Sequence, residues 1–123
     1  MKTKADFINS KGRMVCFVSH RLFSKGKYES NVKSLERMAK ELYMMGFSPI
    51  MPHVLCPWLI NDGWESHRTF AIEVCKSVIL KCDFIVFNCN KQSKGVQEEI
   101  SFADKYGIPI YEIHYLRTIL KGR

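Results

Sequence analysis

A chain of 123 residues fits one domain, and folding at this size buries roughly two-thirds of the surface the unfolded chain exposes. An apolar content of 46% and a charged content of 25% exclude a low-complexity or disordered chain. No apolar run approaches the ~20 residues of a membrane span, and the start Met1-Lys2-Thr3-Lys4-Ala5-Asp6 lacks a signal-peptide core, so a cytoplasmic protein with no membrane contact is expected.

The formal net charge of +7 suggests an anionic partner. Its basic residues are dispersed, with loose groups at Arg21, Lys25 and Lys27, at Lys91 and Lys94, and at Lys121 and Arg123. No basic helix with interleaved aromatics is present, which favours a small phosphorylated ligand over nucleic acid. The five cysteines, Cys16, Cys56, Cys75, Cys82 and Cys89, form no CxxC pair, and three lie inside apolar segments, so buried reduced thiols are expected. A zinc set drawn from His20, His53, Cys56 and Cys89 has no local ligand spacing; neither metal nor cofactor is expected.

Met14-Val15-Cys16-Phe17-Val18 is a continuous apolar run ending in Ser19-His20, the pattern of a strand buried on both faces. Arg21 to Glu29 is polar and contains Gly26, which predicts a loop, with Ser30 as an N-cap. Val32, Leu35, Met38, Ala39, Leu42 and Tyr43 then recur at helical spacing, and Gly46 is the predicted stop. Phe47 to Met51 is a second strand cut off by Pro52, and Val54 to Glu65 is a long aromatic loop. Ser66 caps a second helix with Phe70, Ala71, Val74, Cys75, Val78 and Ile79 on its buried face. A third strand covers Phe84 to Asn88, a third helix Val96 to Tyr106 with Gly107 at its end, and a fourth strand Ile108 to Ile113.

Strands alternating with helices imply right-handed crossovers and a parallel sheet covered on both faces. The expected fold is therefore α/β: a single three-layer domain, flavodoxin- or Rossmann-like, with a parallel sheet of four or five strands. In such sheets ligands bind beyond the carboxyl ends of the strands. That edge gathers Ser19, His20 and Arg21, then Pro52 and His53, then Asn88 and Asn90, then Ser93, Gly95 and Glu99.

Ser93-Lys94-Gly95-Val96-Gln97-Glu98-Glu99 is the most informative stretch. It reads either as a turn that holds an anion at a helix N-terminus, with Glu99 reaching back, or as an N-cap with a solvated carboxylate. His20 and His53 could bind phosphate or hydrogen-bond backbone. Arg21, Lys25 and Lys27 could clamp phosphate or form a solvated loop, and Asn88 and Asn90 could read a base or sugar or satisfy a turn. Trp58 and Trp64 are read as packing residues, and Arg68 as a partner for a loop carboxylate such as Asp62.

The chain resembles the nucleoside 2-deoxyribosyltransferase-like superfamily, which includes deoxynucleoside monophosphate N-glycosidases. The likeness covers residues 14–113 and rests on Val15 to Arg21, Asn31, Pro49-Ile50-Met51-Pro52-His53, Lys81-Cys82-Asp83, Ser93-x-Gly95-x-x-x-Glu99 and Gly107-Ile108-Pro109. It is strongest toward an uncharacterised branch of phage and bacterial domains. The resemblance implies that Glu99 is a nucleophile toward the anomeric carbon of a deoxyribose, that Ser19, His20, Arg21, His53, Asn88, Ser93 and Gly95 line a nucleoside or nucleotide site, and that the protein is a homo-oligomer. Where the enzymes carry a second, assisting aspartate, this chain has Cys75, for which Asp62, Glu65 or Glu73 could compensate. The expected function is nucleotide or nucleoside binding with N-glycosidase or deoxyribosyltransferase chemistry. The alternatives are an inactive nucleotide-binding or sequestering module and, more weakly, a nucleic-acid-binding interaction protein.

Overall fold

The computed structural model of the protein describes residues 12–21, 27–52 and 65–120. Strand β1 (Val15–Ser19) leads through helix α1 (Tyr28–Met44) to β2 (Ser48–Ile50), then through α2 (Glu65–Ile79) to β3 (Phe84–Phe87), α3 (Lys94–Lys105), β4 (Ile110–Glu112) and α4 (Ile113–Leu120). All pairings are parallel, in the order β2-β1-β3-β4. Cys16 pairs with Phe84 and Val18 with Val86 across the two central strands. This is the flavodoxin-like α/β arrangement, in which the chain winds outward from β1 first to one side and then to the other.

Side chains alternate across a strand, and the two cores follow that alternation. Cys16, Val18, Phe84 and Val86 face α1 and α4, where they meet Leu35, Met38, Leu42, Ile113 and Leu116. Phe17 and Ile85 face the other way and meet Cys75 and Ile79 of α2 and Ala103 of α3. On the first face Phe84 sits edge-on between Phe47 at 5.0 Å and Tyr111 at 5.4 Å, an arrangement aromatic quadrupoles favour.

Several sequence features hold these layers in register. Asp83 exchanges two bonds with Val15: its backbone N–H donates to the Val15 carbonyl at 2.7 Å, and its carboxylate accepts from the Val15 N–H at 2.7 Å. Asp83 thus fixes the start of β3 against β1. Gly46, at φ 103°, and Gly107, at φ 71°, end α1 and α3 in the left-handed region that glycine enters without a Cβ clash. Arg13 donates to the carbonyls of Tyr43 and Phe47 and lies 4.6 Å over the Tyr43 ring, so it ties the segment before β1 to the end of α1.

Several sequence expectations differ from the structure; α2 begins at Glu65, so Ser66 lies inside the helix and not at its cap. α1 starts at Tyr28, so Ser30 is inside the helix and its hydroxyl donates to the Lys27 carbonyl at 3.2 Å instead of capping. Tyr43 is exposed, and buried Asn31 takes a place on the inner face. Cys16, Cys75 and Cys82 are buried free thiols, whereas Cys89 is exposed. The fourth strand stops at Glu112, and α4 follows at once. Among the described residues no helix is long and apolar enough to cross a membrane.

Candidate functional site

Strand order reverses between β1 and β3, so a crevice is expected beyond their carboxyl ends. The exits of these strands are joined there by a bond from the Arg21 N–H to the Lys91 carbonyl at 3.1 Å. After β3, Asn88 caps a short 3-10 turn, Cys89–Lys91, by accepting from the Asn90 N–H at 2.9 Å. Ser93 then caps α3: its Oγ accepts from the Val96 N–H at 3.3 Å, and its carbonyl accepts from the Gln97 N–H at 3.0 Å. Helix α3 starts at this edge and brings its positive end there.

One turn into α3, Glu99 reaches back to β1. Ser19, the last residue of β1, is fully buried, and its hydroxyl donates to Glu99 Oε1 at 2.6 Å. The pleat explains the meeting, because Ser19 follows Phe17 onto the α2/α3 face. From α2, the buried Cys75 thiol faces the same carboxylate and interacts with it electrostatically. Burial raises the Glu99 pKa to about 7, against the bond from Ser19 and the facing Cys75 thiol, which favour the anion. Burial, together with the facing Glu99 charge, pushes the Cys75 thiol to about 12, so it remains a proton donor at neutral pH and is no reactive thiolate.

Adjacent His20 goes to the opposite face. It is 4% exposed, with Nδ1 2.6 Å from the Arg21 carbonyl and Nε2 3.0 Å from Ser34 Oγ on α1. The carbonyl requires a proton on Nδ1, and burial, which lowers the pKa, leaves the ring neutral so that Nε2 accepts from Ser34. Burial lowers its pKa, and the charges of Lys91 and Arg21 act in the same direction against the bond to the Arg21 carbonyl. His20 therefore braces β1 against α1, and Ser34 is a partner that helical periodicity did not single out.

The remaining expected site residues divide by position. Arg21 flanks the crevice, and its buried Nε has no partner among the described residues. Gly95 lies in the first turn of α3 with an ordinary φ, and a Cβ there would meet nothing nearer than Ser93 Oγ at 3.7 Å. Its lack of a side chain is thus not required by packing. Asn88 is engaged with its own turn. His53, Lys25, Trp58, Asp62 and Trp64 lie outside the described residues, and only the backbone is described at Arg68 and Glu65. Glu73 is exposed on α2.

Fold and strand-end geometry together define a flavodoxin-like α/β domain with a hydrogen-bonded, desolvated carboxylate at its switch point. Residues 14–113 match a family described as a domain of unknown function, DUF7768, and the chain belongs to that family. Comparison with curated proteins finds no match. Among solved structures, a 2-deoxyribosyltransferase from the psychrotolerant bacterium Bacillus psychrosaccharolyticus is similar, with a TM-score of 0.58 and 16% identity over 80% of this chain and 70% of that one. At that identity the likeness is one of fold.

Proposed function

We propose that the protein binds a nucleoside or nucleotide in the β1/β3 crevice and acts on its N-glycosidic bond, with Glu99 as nucleophile. The observation that carries this reading is the Glu99 carboxylate itself, desolvated yet held by Ser19 at 2.6 Å. Desolvation makes a carboxylate a stronger nucleophile, and the hydroxyl fixes its rotamer. Attack of Glu99 on the anomeric carbon forms a glycosyl ester as the C–N bond breaks and its electron pair leaves with the base. Water or a second base then resolves the ester. Arg21, Ser93, Gly95 and the α3 amides position a sugar or phosphate, with Asn88 beside them, and the net positive charge of the chain draws anionic substrates to the site.

Cys75 favours a second reading, in which the pocket binds a nucleotide without turning it over. A departing base is ordinarily protonated by a second carboxyl group. Here the thiol in that place faces Glu99 and, at a pKa of about 12, is a weak acid for the task.

Incubating the protein with deoxynucleosides and their monophosphates and measuring free base separates the readings. Base release that Glu99→Gln abolishes supports the enzyme. Ligand-induced thermal stabilisation without release supports the binding module, and failure of every nucleoside and nucleotide to bind overturns both.

A further inference from the structure

One strand along the same edge, past the ends of β3 and β4, a second group of donor atoms converges outside the crevice. Cys89 opens the 3-10 turn after β3, Glu112 ends β4, and His114 lies in the first turn of α4. The Cys89 Sγ, the Glu112 carboxylate and the His114 Nδ1 lie within 4.8 Å of one another.

Glu112 is the centre of the group. It accepts from the backbone N–H of Cys89 at 2.9 Å and from the backbone N–H of His114. It also accepts from His114 Nδ1, 2.8 Å from both oxygens, and the Cys89 Sγ lies within 4.8 Å of it. The backbone bonds alone would make Glu112 an ordinary cap for α4. They do not account for a thiol and an imidazole, from two different segments, turned onto the same carboxylate.

We propose that Cys89, Glu112 and His114 form a binding site for a divalent transition metal of the zinc type, with a fourth coordination position open to solvent. Thiolate, imidazole and carboxylate are the donors that zinc takes, and a softer sulfur donor selects against magnesium and calcium. Ligand atoms on one tetrahedral zinc sit about 3.4–3.6 Å apart, given ordinary zinc–ligand bond lengths. Small side-chain rotations therefore suffice to admit the ion.

On binding, the thiol proton leaves to solvent, and the imidazole presents Nδ1 with its proton on Nε2. Thiolate and carboxylate then balance the dication. The two backbone N–H bonds to Glu112 hold the carboxylate oriented and serve as the outer-shell support that such sites require. Entry is open, because Cys89 is exposed and the side chains of His114 and Glu112 are 49% and 21% exposed.

The test is titration of the full chain with Co2+ and then Zn2+ under a non-chelating reductant. One cobalt per chain is expected, with a near-ultraviolet thiolate-to-cobalt charge-transfer band and tetrahedral visible bands, both displaced by Zn2+. Cys89→Ser removes the charge-transfer band, and His114→Ala and Glu112→Gln each weaken Zn2+ binding by at least about tenfold. Circular dichroism checks that each variant is folded. A charge-transfer band that survives Cys89→Ser, an octahedral cobalt spectrum without that band, Zn2+ affinity unchanged in the variants, or absence of binding each overturns the site.

Discussion

Ser19 and Glu99, eighty positions apart in sequence, are joined by a hydrogen bond of 2.6 Å that links the end of the first strand to the third helix. The bond ties a fully buried hydroxyl to a carboxylate that pays for desolvation. A fold selected for stability alone would place an apolar residue at either position. Retained strain of this kind is expected where a group is kept reactive.

Glu99→Gln should therefore stabilise the protein at alkaline pH while abolishing base release. With a folded pKa of about 7 against an ordinary value of 4.5, native Glu99 keeps its proton where the unfolded chain has lost it. The stability it contributes is complete below about pH 4.5 and is lost as pH rises through about 7. Glutamine removes that loss, so urea unfolding at pH 8 should show a gain on the order of 3 kcal/mol, with no gain at pH 4. In the wild type, base release should rise with pH along an apparent pKa near 7. A flat profile would show that ionisation of Glu99 is not required.

Cys75→Asp places a carboxyl group where the thiol now faces Glu99. Two carboxylates in contact cannot both ionise easily, so one titrates above the range of the wild-type group. The variant should be less stable than wild type at pH 8 and nearer to it at pH 5. If the missing acid limits turnover, base release should increase by about a hundredfold, the lower range for general acid catalysis. Destabilisation without any gain in release would show that Cys75 is not the limiting departure. Cys75→Ser keeps an uncharged polar group facing Glu99 and should leave the pH profile near that of wild type.

Gly95→Ala separates the demands of fold and ligand. Packing leaves room for a methyl group, with Ser93 Oγ at 3.7 Å as the nearest contact and no positive φ to strain. Alanine at this helical position should raise stability by about 0.5–1 kcal/mol. The same methyl stands where a sugar or phosphate would approach the α3 amides, so nucleotide affinity should fall. Calorimetry and ligand titration on one sample measure both. A stabilised variant that binds nucleotide as well as wild type would place the ligand elsewhere.

The pattern along the chain carried most of the sheet. Apolar runs at Val15 to Val18 and Phe84 to Phe87 could only be strands buried on both faces, and Gly46 and Gly107 marked helix ends because little else tolerates their backbone. The site was legible as a list, and Glu99 with Ser93 and Gly95 fell at one helix start. Its pairing was not, because the side to which Ser19 or His20 turns depends on a one-residue phase that the run fixes only once its register with β3 is known. That phase sends Ser19 to Glu99 and His20 to Ser34. Helix α4 carries no sequence marker because it follows β4 without a turn residue; its cap is supplied by Glu112, itself a strand residue.

Ser34→Ala tests the bracing assigned to His20. Loss of the hydroxyl leaves the buried Nε2 without its donor, at a cost of about 1–3 kcal/mol. Thermal unfolding should show that loss at pH 7, while kcat for base release stays near wild type because Ser34 lies on α1, across the sheet from the face that carries Glu99. A fall in kcat with stability unchanged would instead put His20 in the ligand site.

Helix α4 is held by two unequal contacts, and their removal should show which one matters. Leu116 is fully buried in the core that α4 closes over β1 and β3, beside Leu35, Phe84 and Val86. Arg117 makes a bidentate pair with Glu41 of α1, at 2.6 and 2.8 Å, with its side chain 35% exposed. Leu116→Ala deletes buried carbon and leaves a cavity, so it should cost about 2–5 kcal/mol. Arg117→Ala forfeits an ion pair that water and salt already screen, so it should cost under about 1 kcal/mol. The second loss should shrink in 1 M NaCl and the first should not. Equal losses would mean that α4 docks through its charge pair, and the apolar stripe of Ile113 and Leu116 would then be secondary to it.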